Sequence, residues 1–383
     1  MRRLLVLFFK VFSSASKAFL VFGLAYFLTD VDFAYYVLIA AAISYAIYFV
    51  GADYYINANR ALIISTDGNT LNHTGSMIIR NQFAFYLFSS PVVVSAVCMV
   101  FYFGVLDWDF LFLFVLILYS EHFSQEVFRI YMSLSMQVLA SFILFVRLGL
   151  WPLIVLLLMY IDPQYRTLYV PLYFWSGFSF LSFLFGALLL RNYVHDGGEN
   201  ISFRYMVNSL KISLPFLIGT IAIRAIFSAD KFIHEYINGI ESLVYYGLFF
   251  AMAGIPFVVL ESLVFSFSYQ KIVKFYNAGD RSGFFSEIKI MFISLCLIFF
   301  LFISFFFFFL DYILYMIGKE SAANFSGVFY LFFSAFFVYA LSFIPHYVLY
   351  AAKFDSQSVL SQVIASMCFF IFVFLFHSNM TFL

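Results

Sequence analysis

Four polar side chains fall on one face of a single apolar run: Arg224, Ser228, Lys231 and Glu235 follow i, i+4, i+7, i+11 spacing, and Thr220 continues the line inward. Lys10, Ser13 or Ser14, and Lys17 make a similar stripe near the N-terminus. A guanidinium in such a place suits phosphate, which it can meet with paired hydrogen bonds, whereas a carboxylate suits a proton or a cation. Lys17, Arg147 and Arg224 each lie near the middle of an apolar run, and Glu121 is the acid read at similar depth. That imbalance leaves positive charge which an anionic ligand would offset. Substrate contact is therefore expected from Lys17, Arg147, Arg224 and Lys231, and ion coupling or gating from Glu121, Asp230, Glu235 and Glu261.

Each expectation has a structural alternative. Arg147 and Glu121, on consecutive antiparallel helices at comparable depth, could form a plain ion pair; Asp230, Lys231 and Glu235 could reach the outer interface and pair locally. Glu126 and Arg129 stand i, i+3 apart and suit a cap or gate. Glu261, below Pro256, Gly254 and Gly247, could close the bundle against Lys271 or Lys274. No Gly-rich phosphate loop with Lys and Ser or Thr occurs, and no His-Glu-x-x-His or Cys-x-x-Cys pattern. Neither a cofactor, a metal nor a catalytic residue is expected. Cys98, Cys296 and Cys368 sit in apolar runs and read as packing residues.

The elements that must position these charges follow from composition. Of 383 residues, 65% are hydrophobic and 10% charged, against about 45–50% and about 25% in a soluble domain. A bilayer core ~30 Å thick needs ~20 apolar residues per helix, and the apolar runs do not alternate as barrel strands would. Phe supplies 60 residues, which codon bias in an AT-rich gene explains; no function is drawn from them. Eleven spans are expected, at Leu4 to Leu28, Phe33 to Ile56, Phe83 to Val105, Phe110 to Met132, Val138 to Tyr160 and Leu168 to Leu190, then Ser213 to Tyr236, Leu243 to Phe267, Ile288 to Leu310, Val328 to Tyr350 and Val359 to Phe376.

With the N-terminus in the cytoplasm, Arg2, Arg3, Arg60, Arg80, Arg129, Arg191, Arg204, Lys271, Lys274 and Lys353, among others, fall inside, and only Arg166 and Lys319 outside. The long polar stretches Asn57 to Gln82, Arg191 to Lys211 and Ser268 to Glu287 are then cytoplasmic, and a short tail from His377 to Leu383 is external. Met1-Arg2-Arg3 has the outline of a signal peptide, but Lys10 and Lys17 interrupt the apolar stretch, so the segment is expected to remain as a span.

Ser14-Ala15-Ser16-Lys17 in the first span matches Ser228-Ala229-Asp230-Lys231 in the seventh, and the following helices open with Phe33-Ala34-Tyr35-Tyr36 and Leu243-Val244-Tyr245-Tyr246. The copies are offset by six spans, an even number that keeps both in the same orientation, so this is a parallel repeat. The expected fold is an all-α polytopic bundle of about 11–12 spans, in two parallel-repeat halves, 1–195 and 196–383, around a central cavity.

The Lys-bearing first helix followed by Asp32-Phe33-Ala34-Tyr35-Tyr36, the segment Glu121-His122-Phe123-Ser124-Gln125-Glu126 leading to Arg147-Leu148-Gly149-Leu150-Trp151-Pro152, and Pro215 with Asp230-Lys231 resemble bacterial polysaccharide flippases. These are the O-antigen (Wzx-type) members of the multidrug/oligosaccharidyl-lipid/polysaccharide exporter superfamily. The resemblance is diffuse, and such proteins commonly have twelve helices or more, against eleven here. It implies a cationic cavity for the pyrophosphate and sugars of an undecaprenyl-linked repeat unit, moved across the bacterial inner membrane by alternating access for O-antigen, lipopolysaccharide or capsule biosynthesis. The implied partners are the lipid-linked oligosaccharide and membrane lipid, with a polysaccharide polymerase and a chain-length regulator, and no nucleic acid. The alternatives are a multidrug or metabolite exporter of the same fold, and a membrane-embedded polysaccharide polymerase. Short external loops weigh against the polymerase, so an enzyme is not expected.

Overall fold

The computed structural model describes residues 2–67, 70–71, 73–104, 106–194 and 201–376. The tail from His377 and the boundary between halves at 195–196 lie outside the described residues, as do the side chains of Arg2 and Arg3. Fourteen α-helices follow in order: α1 (Arg2–Phe27), α2 (Asp30–Gly51), α3 (Tyr55–Ile64), α4 (His73–Tyr102), α5 (Leu111–Ser133), α6 (Gln137–Phe145), α7 (Trp151–Ile161) and α8 (Tyr169–Leu190), then α9 (Phe203–Asn238), α10 (Leu243–Leu260), α11 (Ser266–Ala278), α12 (Arg281–Met316), α13 (Ser326–Ala351) and α14 (Asp355–Phe376). Among the described residues, strand is confined to a two-residue antiparallel pair, Thr66–Asp67 with Thr70–Leu71. Among the described residues, eleven helical stretches are long and apolar enough to cross a membrane, and they match the expected spans one for one. The protein is a multi-pass α-helical membrane protein.

The breaks between helices have local chemical causes. Thr29 accepts a hydrogen bond from the Asp32 amide at 3.2 Å, and Asp30 and Asp32 add negative charge to the first turn of α2. Gly279, at φ 69°, ends α11 in the left-handed conformation that glycine adopts freely, and Asp280 then caps α12 by accepting from the Gly283 amide at 2.9 Å.

Two spans contain a π-helical turn, Val146–Leu150 between α6 and α7 and Glu261–Phe265 between α10 and α11. The first ends for a readable reason. In five-residue hydrogen bonding the Arg147 carbonyl would look to residue 152, which is proline and has no N–H. The Trp151 indole donates to that carbonyl instead, at 3.0 Å.

The chain forms two compact units. The first comprises residues 1–16 and 38–228. Its tightest seam joins α5 to α8, where Ser124 donates to Ser182 at 2.8 Å, Ser182 to the Ile143 carbonyl at 2.9 Å, and Tyr131 to the Gly186 carbonyl at 2.8 Å. A Cβ at Gly186 would overlap Val127. In lipid, where helices gain little from hiding apolar surface, small residues and interhelical hydrogen bonds of this kind hold the seam.

The second unit comprises residues 17–37 and 229–383. Here the abundant Phe finds its use: Phe250 meets Phe336 at 5.1 Å, Phe257 meets Phe343 at 5.1 Å, Phe265 meets Tyr347 at 5.7 Å and Tyr269 meets Tyr350 at 5.3 Å. These edge-on pairs run along α13 and stabilise by about 0.5–1.5 kcal/mol each beyond area burial.

Candidate functional site

Arg147 projects from the π-helical turn and is 5% exposed. Its Nε lies 3.5 Å from a carboxylate oxygen of Glu121 on α5. Glu121 also accepts from Ser179 at 2.7 Å and from the Trp175 indole at 3.2 Å, both on α8. Gly149 lets α1 pack closely on the same turn, since a Cβ there would come within 3.2 Å of the Ser13 backbone. The pair is thus a cross-link among α5, α8 and the turn after α6. Nε and Nη1 of Arg147 have no hydrogen-bond partner among the described residues.

One turn along α5, Glu126 is fully buried and accepts from Gln82 at 2.6 Å, from the Tyr86 hydroxyl at 2.8 Å, and from Arg129. Arg129 in turn lies 3.6 Å above the Tyr55 ring, where the quadrupole of the ring favours a cation. His122 packs edge-on to Tyr86 at 4.5 Å and against Gly51, where a Cβ would sit 2.7 Å from the imidazole. The i, i+3 pairing of Glu126 with Arg129 follows from spacing; its partners on α4 do not.

Asp53 completes this cluster and was not expected. It is 2% exposed, in the turn between α2 and α3, with Thr220 of α9 near enough to favour its ionised form. Its Oδ2 has no partner among the described residues. Arg129 and Glu126 of α5 and Arg224 of α9 act on it electrostatically. Ala52 and Asp53 hold φ values of 47° and 48°, a left-handed pair that L-residues adopt at a cost. Asp tolerates that conformation better than most, which, with the preceding Gly51, was the signal in the sequence.

Burial raises the Asp53 carboxyl above its ordinary range, and the two arginines only partly oppose this. The folded state therefore holds the Asp53 proton to higher pH than the unfolded chain does. Stability falls as pH rises from the ordinary carboxylate range through the raised value, and the deficit persists above it. Asp53→Asn, which also accepts the left-handed conformation, is expected to melt at higher temperature than wild type at pH 7–8 and to match it near pH 3. Thermal melting of both proteins in detergent across that range checks the sign; an Asn variant less stable at pH 8 would contradict it.

The structure treats the remaining expected residues differently. Arg224 is exposed on α9, with its guanidinium 5.4 Å from the Tyr48 ring centroid. Lys17 is exposed on α1. Lys231 is 6% exposed, 3.1 Å from Asp230 and 3.5 Å from the Phe250 ring centroid, and Tyr246 donates to Asp230 at 2.9 Å. Glu235 is half-buried on α9, and Glu261 is exposed on its π-helical turn, close enough to Tyr347 to act on it electrostatically. Lys271 pairs with Glu287 at 3.1 Å. Cys98 and Cys296 are half-buried and Cys368 exposed, all as free thiols. Among the described residues, no group of three or more His, Cys, Asp or Glu side chains is placed to hold a metal ion.

Within the first unit each of these arginines has an acid near it: Glu121 lies beside Arg147, Glu126 beside Arg129, and Asp53 acts electrostatically on Arg129 and Arg224. The excess of positive charge read from the sequence shrinks once Glu126 and Asp53 are counted. What remains is a difference in exposure, with Arg147 and Lys231 sunk beside acids and Arg224 and Lys17 open.

No family model matches the sequence, and no curated protein is similar to it in sequence. In three dimensions the chain is similar to a multidrug resistance MATE family transporter of the MOP superfamily, solved in an inward-facing conformation. The TM-score is 0.62 at 10% identity, over 92% of this chain and 84% of that one. The fold of this protein is accordingly that of a MATE-type transporter.

Proposed function

We propose that this protein is an exporter that moves an undecaprenyl-pyrophosphate-linked oligosaccharide, the repeat unit of an O-antigen or capsule, across the bacterial inner membrane by alternating access. The observation that carries the reading is Arg224. It is an exposed guanidinium in the interior of an apolar helix, where contact with lipid would cost at least ~2.5–3.5 kcal/mol, so the face that bears it is hydrated. Tyr48 and Asp53 orient it, and its planar fork suits a pyrophosphate. Arg147 and Lys231, beside acids, belong to the scaffold in this reading, as do Glu121 and Asp230. The N-terminus lies in the cytoplasm, as the distribution of basic residues favours.

The fold serves a multidrug or metabolite exporter equally well; an exposed arginine favours an anionic cargo over the organic cations that an acidic face would attract. Arg224→Ala is expected to abolish surface-glycan display in a strain deleted for the gene, at normal membrane abundance by immunoblot. Arg224→Lys should restore display only in part, because an ammonium lacks the paired geometry. Full display by the alanine variant would sink the reading.

A further inference from the structure

The second unit holds a cavity of ≈ 530 Å³ where α2 begins and α9 gives way to α10. Its size lies within the ~300–1,000 Å³ usual for small-ligand sites. Asp30 is the first residue of α2, Asn238 the last of α9, and Glu241 and Ser242 lie in the turn that follows. The cavity is thus at the end of the spans, where a polar ligand arrives from water rather than from lipid. We infer that it binds a neutral sugar ring, an inference that rests on the proposed oligosaccharide cargo and names a place for its glycan.

The lining chemistry selects among ligands. Asp30 and Glu241 disfavour phosphate by charge. Asp30 is already joined to Lys319, and Asp230, next to Tyr246 of the lining, is held by Lys231 and the Tyr246 hydroxyl. Little uncompensated charge is left for an organic cation apart from Glu241. The Asn238 amide and the Ser242 and Tyr245 hydroxyls already bond His234 and Ser321 and keep further hydrogen-bonding capacity that a cation would leave unused. A pyranose answers both kinds of group, because each hydroxyl can donate to a carboxylate and accept from an amide or hydroxyl. It also has an apolar C–H face for the aromatic part of the wall. There Tyr245 and Phe325 stack at 5.6 Å and 21°, and His234 stacks on Tyr246 at 4.3 Å and 29°. His234 is fixed by Ser242 at 3.0 Å and Asn238 at 3.4 Å, so this part of the lining is pre-organised.

The test uses the full chain in lipid nanodiscs with Cys98, Cys296 and Cys368 replaced by serine. Val31→Cys reports on the cavity, since Val31 lines it, is 43% exposed and contributes no polar side-chain atom; Val328→Cys is a second reporter in the lining. Maleimide labelling is timed with galactose, glucose, N-acetylglucosamine or rhamnose, and separately with tetraphenylphosphonium. At least one sugar should slow labelling several-fold at these positions. The same sugar should leave Tyr236→Cys, 88% exposed and outside the cavity, unchanged. Asn238→Ala and Glu241→Gln should each remove the protection. No protection by any sugar, protection by tetraphenylphosphonium alone, or protection that survives both substitutions overturns the inference. Glycan display is not the readout. Failure here leaves the Arg224 result standing, and failure of export in that experiment leaves sugar protection measurable.

Discussion

Replacing Arg147 by alanine is expected to strip most of the protein from the membrane, and replacing Glu121 by glutamine at the same time to bring it back. The two side chains are 6% and 12% exposed. Removing the cation leaves a carboxylate in a low-dielectric site with only Ser179 and Trp175 as donors. Breaking a buried pair in this way costs about 3–5 kcal/mol, a large part of a total stability of about 5–15 kcal/mol. In the double variant no charge remains, and glutamine keeps an acceptor for Ser179. Immunoblots of membrane fractions read abundance, and glycan display reads export. Recovery of both makes Arg147 a scaffold residue. Recovery of abundance without export would mean that its nitrogens lacking hydrogen bonds serve the cargo after all.

Glu126→Ala should be at least as damaging. The carboxylate is the common acceptor for Gln82, Tyr86 and Arg129, and its loss orphans the Tyr86 hydroxyl and the mostly buried Arg129, while Gln82 keeps its bond to Tyr86. An effect of about 3–5 kcal/mol is expected from the unpaired arginine alone. Glu126→Gln should fall between, because it retains one acceptor but turns an amide N–H₂ toward groups that also donate. Fluorescence-detected melting of the purified variants, beside their abundance in membranes, measures the order. A Glu126→Ala protein that melts with wild type would show that the network contributes nothing to stability.

How far the molecule could be read in advance depended on range. Spans were legible because each is a run of apolar residues bounded by polar breaks, and lipid permits that run no conformation but a helix. The Glu121–Arg147 pair was legible because two neighbouring antiparallel spans fix depth to within a turn. The companions of Glu126 were not, since Gln82 and Tyr86 lie on α4 and nothing in spacing says which face of α4 turns toward α5. Asp53 was missed for a different reason: the apolar pattern carries the second helix through to Ile56, whereas the chain leaves the helix at Gly51 and turns through two left-handed residues. Hydropathy is blind to that change of backbone hand. The cavity of the second unit escaped because its lining comes from three separate stretches of sequence, none polar enough alone to announce a site.

The passage of the chain between the units, once within α1, once within α2 and once within α9, bears on how the protein is made. Residues 17–37 belong to the second unit but leave the ribosome before nearly all of the first. At ~5–20 residues per second, they wait on the order of ten seconds or more for residues 229 onward. During that interval the first two spans must persist in lipid as a helical hairpin whose connected ends, residues 17–37, lack their partners of the second unit. The cap at Thr29 and the acidic first turn of α2 equip them for that. A gene cut near codon 195 would therefore encode two fragments of which neither contains a whole unit.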